Sequence, residues 1–170
     1  LSSNRTCPAP NGEYLDFVEI HNTTGNPIDI SGYMLSDDVA SIGYTFPQGT
    51  ILPAGGYTVC WCDKTSDSGN YASFGISSDG TDSIYLYNSS NVLIDQVNVP
   101  VLGDNVSFIQ SENNWSSSTL ITPGFENTRT GHSQWMQSMG GQMPTVTITE
   151  VMTANRSTMI STAGQICDWV

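Results

Sequence analysis

The feature that most constrains the fold is a series of short apolar runs between turn residues, with no sustained helical periodicity. Three examples are Tyr57-Thr58-Val59-Cys60-Trp61-Cys62, Ser83-Ile84-Tyr85-Leu86-Tyr87 and Val92-Leu93-Ile94-Asp95-Gln96-Val97. Runs of this length, bounded by Gly, Pro, Asn and Ser, are typical of β-strands. The last two are predicted to form a hairpin around residues 88–91. The pattern as a whole predicts an all-β chain, with residues 106–109 as the last strand and residues 113–127 as coil.

Charge narrows the class of partner. The chain has 170 residues, four of them basic, and a net charge of −12. This length suits one β-sandwich with some excess, large enough to bury a core without obligatory disulfides. Nucleic acid is excluded as a partner because binding it requires a basic surface. No stretch is apolar enough to insert into a membrane. Acidity with abundant Ser, Thr, Asn and Gly predicts an extracellular or cell-surface location.

The two ends of the chain resemble each other. The opening Leu1-Ser2-Ser3-Asn4-Arg5-Thr6 is similar to the late Met152-Thr153-Ala154-Asn155-Arg156-Ser157, and Leu15-Asp16-Phe17-Val18 is similar to Cys167-Asp168-Trp169-Val170. Repetition at this spacing indicates a tandem array of modules. The expected layout is a sandwich over residues 1–127 that lacks its first strand, a linker over residues 128–144, and the opening of a second repeat over residues 145–170.

Residues 145–151 read as one strand. Their sequence Thr145-Val146-Thr147-Ile148-Thr149-Glu150-Val151 alternates apolar and polar side chains. This is the pattern expected just before Leu1 in an intact module, where a missing strand leaves an unpaired sheet edge. We therefore expect residues 145–151 to supply that strand, either within the chain or as a strand-swapped dimer.

The order of the motifs resembles the lamin-tail domain, in the version found in secreted and cell-surface bacterial proteins. The residues that carry the resemblance are Asp16-Phe17-Val18-Glu19-Ile20-His21-Asn22, Ile28-Asp29-Ile30-Ser31-Gly32-Tyr33-Met34-Leu35-Ser36-Asp37, Tyr44-Thr45-Phe46-Pro47, Ile51-Leu52-Pro53-Ala54-Gly55-Gly56-Tyr57, Gly80-Thr81-Asp82-Ser83-Ile84-Tyr85-Leu86-Tyr87, Ile94-Asp95 and Thr122-Pro123-Gly124. The resemblance implies an immunoglobulin-like β-sandwich without shared catalytic residues. It implies a non-enzymatic interaction or scaffolding module within a larger multidomain protein.

Two tyrosines are the best candidates for a ligand surface. Tyr85 and Tyr87 share one face of a predicted strand, opposite Ile84 and Leu86. An exposed aromatic pair suits a carbohydrate-binding module, which is the alternative function. Ordinary strand chemistry also places Tyr on half-exposed faces. The expected partner is a protein or glycan ligand at a cell surface.

Cofactors are not expected, and calcium is the one alternative. Loop carboxylates occur in three groups, and turn-forming Asp explains them about as well as a bound ion does. The groups are Asp37 with Asp38, Asp63 with Asp67, and Asp79 with Asp82. No zinc pattern is present, and His21 beside Glu19 lacks the companions of a catalytic base.

The cysteines are expected to be buried free thiols. Cys60 and Cys62 point to the same face of one strand, an awkward arrangement for a mutual bond. A bond from Cys7 to one of them is the alternative. Asn-X-Ser/Thr triplets, which matter only in a glycosylating host, begin at Asn4, Asn22, Asn88, Asn105, Asn114 and Asn155.

Overall fold

The computed structural model describes residues 1–41, 43–65, 69–111 and 114–139. The strands are β1 (Asp16–His21), β2 (Ile28–Asp29), β3 (Met34–Ser36), β4 (Tyr44–Thr45), β5 (Ile51–Leu52), β6 (Tyr57–Cys62), β7 (Tyr71–Ala72), β8 (Ser83–Tyr87), β9 (Leu93–Asn98), β10 (Ser107–Ser111) and β11 (Asn114–Ser118). One helix, α1, covers Arg129–Ser138. The predicted second-repeat opening, residues 145–170, lies outside the described residues, and so does its strand at residues 145–151.

The first sheet has the order β1-β6-β7. Strand β1 pairs antiparallel with β6, so that Val18 lies opposite Cys60 and Phe17 lies opposite Trp61. Because side chains alternate along a strand, Val18 and Cys60 face the core while Phe17 and Trp61 face the other way. The Phe17 and Trp61 rings meet edge to face with their centroids 5.3 Å apart. Strand β7 pairs with β6 in parallel.

The second sheet has the order β4-β3-β8-β9. Leu35 on β3 lies opposite Leu86 on β8 and is fully buried. The predicted hairpin is confirmed: β8 and β9 pair antiparallel, with a register shift between Leu86 and Tyr87. At the tip, Asn91 adopts a φ of 59°, a left-handed conformation that Asn tolerates better than most residues.

Apolar side chains from both sheets form a shared core. Cys60 and Cys62 of the first sheet and Leu35 and Ile84 of the second belong to one buried cluster, together with Phe46. Two short ladders, β2-β5 and β10-β11, complete the set of sheets among the described residues. This arrangement confirms the predicted all-β, immunoglobulin-like β-sandwich.

The C-terminal part of the described chain differs from the expectation. Strand β11 lies in the region predicted as coil, and the helix Arg129–Ser138 lies in the region predicted as a linker. Trp135 is buried on the helix, so packing stabilises it despite its polar composition. Thr128 caps the first turn, since its Oγ1 accepts the Gly131 N–H at 3.1 Å. Within the described residues, no helix is long and apolar enough to cross a membrane.

A close approach explains the glycine inside this helix. A Cβ at position 131 would lie 1.9 Å from the carbonyl oxygen of Glu126. Glycine is therefore required there, although it weakens a helix elsewhere. The compact unit that contains the sandwich extends over Leu1–Gln137 and includes most of α1.

Candidate functional site

The candidate site begins where residues 1–3 lie between two strands. Leu1 and Phe17 form a reciprocal backbone pair, with the Phe17 N–H donating to Leu1 at 3.1 Å and the Leu1 nitrogen donating to Phe17 at 3.0 Å. On the other side, Ser2 forms an antiparallel bridge with Val106. The Asn105 N–H donates to the Ser3 carbonyl at 3.1 Å. Residues 1–3 therefore lie as a single strand between β1 and the start of β10.

Beyond Leu1, no residue of the described part of the chain lies between β1 and β10. A cavity of about 750 Å³ is bordered by residues 17–21 of β1 and residues 107–111 of β10. Its apolar floor comes from the opposite sheet and the loop after it, through Leu35, Ile84, Leu86, Val97 and Val99. We call this feature the strand slot: the walls at residues 17–21 and 107–111, with that floor beneath them.

The backbone of β1 presents hydrogen-bonding groups to the strand slot. The Trp61 N–H donates to Asn70, toward β7, so the alternate residue Cys60 directs its backbone toward β1. Val18 and Ile20 therefore bond β6, whereas Phe17, Glu19 and His21 direct their N–H and C=O groups into the strand slot. Phe17 bonds Leu1. Glu19 and His21 have no backbone partner there among the described residues.

Glu19 sets the electrostatics of the β1 wall. Its Oε2 accepts the Gly124 N–H at 2.6 Å. Burial raises the pKa of the Glu19 carboxyl to about 7, although the Gly124 hydrogen bond opposes that rise. Asp95 and Glu126 also border the strand slot, and none of its described lining residues is Lys or Arg. The strand slot is therefore an acidic site above neutral pH.

Two buried hydroxyl groups border the same cavity. Ser2 Oγ and Ser107 Oγ are buried without a hydrogen-bond partner among the described residues. Buried polar atoms are normally paired, because leaving one unpaired costs free energy. Nothing in the sequence singles out either serine. Only the three-dimensional placement beside the open wall identifies them.

Tyr85 and Tyr87 lie away from the strand slot. They share the outer face of β8, with ring centroids 6.4 Å apart and planes 29° apart. Both rings are half-buried, so the pair is less exposed than the sequence analysis expected. Gln96, opposite Tyr85 on β9, adds an exposed amide to this face.

The loop carboxylates are used within their own turns. Asp79 Oδ1 accepts hydrogen bonds from Ser77 and Thr81, and the Ser77 hydroxyl is the main reason that its pKa is lowered. Asp63 accepts two bonds from Thr65, which lower its pKa. In contrast, burial raises the pKa of Asp37, and nearby Asp82 adds to the rise.

The described carboxylates do not converge on a cation site. Across residues 1–41, 43–65, 69–111 and 114–139, no group of three or more His, Cys, Asp or Glu side chains could hold a metal ion. Asp67 lies outside the described residues. Calcium binding stays a prediction that the described residues do not test.

The described cysteines are inert structural thiols. Cys7, Cys60 and Cys62 are buried and unpaired. Cys60 and Cys62 share one face of β6, as predicted, and that face packs into the core. Burial raises the pKa of Cys7 and of Cys60 to about 12 and also raises that of Cys62. Because the thiolate is the reactive form, these groups are poor nucleophiles. Cys167 lies outside the described residues.

The comparisons with known proteins agree with the fold. A family model described as the lamin tail domain matches residues 3–100, which is more than half of the chain. Searches of curated proteins and of solved structures found no match. The match contains the full β1–β6 ladder, the β3–β8 pair and the β8–β9 hairpin. The chain belongs to the lamin tail domain family, whose members are non-catalytic immunoglobulin-like β domains.

Proposed function

We propose that this chain is a non-catalytic extracellular module that binds or positions other components of a larger bacterial surface or secreted protein. The observation that carries the proposal is the match to the lamin tail domain, a family of non-catalytic immunoglobulin-like β domains, over residues 3–100. The described edge of β1 supports it, because sheet edges with N–H and C=O groups are a recurrent means of recognising extended peptides. The net charge of −12 suits an exterior protein that stays dispersed in solution.

The chemistry of the strand slot favours binding over reaction. Backbone groups of Glu19 and His21 offer hydrogen bonds to any extended chain, whatever its sequence. Apolar side chains that point inward would be buried against Leu86 and Val97 in the floor, which is favourable. The Glu19 carboxyl, whose pKa is about 7, is one acidic group in the β1 wall of the strand slot. The described thiols remain protonated at that pH, since the pKa values of Cys7 and Cys60 are about 12.

A peptide-library screen tests this function. The full chain is immobilised and exposed to a library of random extended peptides, and the enriched sequences are read out. We expect alternating β-branched sequences whose binding is lost in His21→Pro. Proline there removes a slot-facing N–H and adds a ring that blocks a docked strand. His21→Ala is the control, because it keeps the N–H and loses only the ring that stacks on Tyr57. Enrichment that His21→Pro leaves unchanged contradicts the proposal.

Carbohydrate binding is the second candidate, and the stacked Tyr85 and Tyr87 favour it. Two neighbouring rings beside the exposed Gln96 form a short platform with polar flanks. A glycan array probed with the full chain and with Tyr85→Ala/Tyr87→Ala tests this idea. Tyr14→Ala is the matched control, because Tyr14 is exposed and lies outside β8. Signal lost only in the double variant supports carbohydrate binding.

A further inference from the structure

We propose that the outer edge of β9 binds an extended segment of another protein, one that combines β-branched apolar residues with a lysine or arginine. This inference rests on the proposed function as an interaction module and names the chemistry of one partner. Strand β9 ends the second sheet, whose order is β4-β3-β8-β9. Among the described residues, no strand pairs with its outer edge.

The first feature of this edge is a run of exposed apolar side chains. Val92, Leu93 and Ile94 are consecutive, and all three are exposed. Single exposed apolar residues are normal, but a consecutive exposed run is avoided unless it serves a function. The register shift in the β8–β9 hairpin leaves Ile94 without an opposite residue on β8. These side chains therefore offer apolar area to a partner that lies along β9.

The backbone of β9 offers hydrogen-bonding groups on the same edge. The Val99 N–H donates to Asp82, toward β8. Because these groups alternate along an antiparallel strand, Gln96 and Asn98 direct their N–H and C=O groups away from β8. An added strand uses such groups whatever its sequence, while the neighbouring side chains provide selectivity.

Asp95 determines which strands can use this edge. Its Oδ1 accepts the Gln96 N–H at 2.8 Å, so the carboxylate occupies the place that an incoming carbonyl oxygen needs. Charged side chains protect sheet edges against unwanted pairing in this way. A lysine or arginine on the incoming strand attracts the carboxylate and frees the Gln96 N–H for a new backbone bond. An acidic strand is repelled by it.

Charge argues against a second copy of this chain as the occupant. Strand β9 has no basic residue, and a second β9 would bring its own Asp95 to the edge. Each copy also carries a net charge of −12, so two copies repel each other. The same charge attracts a basic strand. Charge complementarity therefore favours a partner of different composition.

Two synthetic peptides of alternating valine and threonine test this inference, one with a central lysine and the other with glutamate at that position. Their affinities for the full chain are measured by fluorescence anisotropy at low and at high salt. We expect the lysine peptide to bind about two- to thirtyfold more tightly, because opposite charges strengthen a cross-strand pair and like charges weaken it. Salt should reduce this difference.

Asp95→Lys is expected to reverse the preference, so that the glutamate peptide binds more tightly. A reversal cannot result from a folding defect. Its control is Glu13→Lys, an equal change in net charge at an exposed residue outside β9, which should keep the preference for lysine. Gln96→Pro should abolish binding of the lysine peptide, because proline removes the outward N–H yet is tolerated at a sheet edge. Gln96→Ala keeps that N–H and should bind.

In the random library, His21→Pro should then remove one class of sequences and Gln96→Pro a second class that contains lysine or arginine. Four results overturn this inference. They are equal affinities for the two peptides, a preference that Asp95→Lys leaves unchanged, binding that survives Gln96→Pro, and a mass that rises with concentration in the wild type but not in Gln96→Pro. The last result would assign the edge to a second copy.

The two proposals can fail separately. If His21→Pro abolishes binding of the lysine peptide and Gln96→Pro does not, the edge of β1 is the site, so the proposed function stands while binding at β9 fails. If neither the library nor the two peptides bind the wild type, both proposals fail.

Discussion

The two sides of the sandwich differ in how completely they are closed. Around β3 and β4, Leu35 is fully buried and Phe46 is 2% exposed, with the Tyr44 ring packed edge to face against Phe46. At the opposite end of the same sheet, Leu93 and Ile94 on β9 are 45% and 47% exposed. The chemistry of the residues is the same on both sides. What differs is whether a neighbouring strand covers them, so burial here depends on the partner more than on the sequence.

The cross-strand pair Leu35 and Leu86 offers the largest expected contrast. Leu35→Ala should lower the free energy of unfolding by about 3 to 5 kcal/mol, because a buried leucine leaves a cavity when truncated. Leu86→Ala should cost about half as much, since Leu86 is half-buried and borders the strand slot. Urea denaturation of both variants measures the difference. Equal losses would show that the open side is covered in solution.

Glu19 is expected to make the free energy of unfolding depend on pH. Its folded-state pKa of about 7 lies above its ordinary value of 4.5. The folded state therefore binds the proton more tightly, and this stabilisation is complete below pH 4.5 and is lost as the pH rises through 7. The loss amounts to about 3 kcal/mol at most. Glu19→Gln should remove it while keeping an acceptor for Gly124.

The measurement for Glu19 is the difference between wild type and Glu19→Gln in the free energy of unfolding. We expect the glutamine variant to gain on the wild type steadily between pH 5 and pH 8. Other titrating groups are common to both proteins and cancel. A difference that is constant with pH would mean that the carboxyl is well solvated, and the wall of the strand slot would then be more open than the structure shows.

Substitutions of Asn22 and Asn88 allow loop anchoring to be compared on the two sides of the sandwich. Asn22 is buried, and its amide donates to the carbonyls of Asn26, Leu52 and Pro53 while its Oδ1 accepts from Thr24. Asn22→Ala should cost about 2 kcal/mol, because buried carbonyls lose their donors. Asn88→Ala, in the hairpin beside β9, should cost about 1 kcal/mol, since it loses only bonds to nearby backbone. Thermal unfolding ranks the two.

Substitutions of Ser36 and Ser107 are expected to have the smallest effects on the free energy of unfolding, with opposite signs. Ser36 Oγ lies 2.6 Å from the carbonyl oxygens of both Asp38 and Ser41, so Ser36→Ala should cost about 1 kcal/mol. Ser107 Oγ is buried without a described partner, so Ser107→Ala should be neutral or stabilise by up to about 1 kcal/mol. Chemical denaturation resolves the signs. A clear loss in Ser107→Ala would mean that a bound strand or water pairs this hydroxyl.

The long strands can be predicted from the sequence, because their alternation of apolar and polar residues is visible without knowledge of tertiary contacts. The runs at β1, β6, β8 and β9 carry the periodicity of half-buried strands, and the β8–β9 turn has strong turn residues. The other elements depend on tertiary contacts. Strand β7 has two residues and pairs with β6 in parallel, and the Asn-Trp-Ser-Ser-Ser of β11 has no alternation to detect. Helix α1 is polar, and its one local signal is the cap at Thr128.

The candidate site was predictable only in outline. Pairing of strand edges is a property of the backbone, so no residue type marks Glu19 or His21 as slot-facing. The repeat near the C-terminus led to the prediction that the sandwich lacks its first strand, and no described residue tests that prediction. The placement of residues 145–151 and the domain boundaries at 127 and 144 stay predictions.

The buried amide of Asn22 has a practical consequence for producing this protein. Asn22-Thr23-Thr24 is an acceptor sequence for oligosaccharyl transferase, which acts on nascent chains in the eukaryotic secretory pathway. A sugar attached to that nitrogen would displace three carbonyl contacts and prevent the loop from closing, so secretion from yeast or mammalian cells should yield misfolded material. Thr24→Ala abolishes the acceptor and spares the anchor, because the Thr24 N–H still reaches Asn22 Oδ1. Thr24→Ala is therefore the substitution that removes the glycosylation acceptor at Asn22.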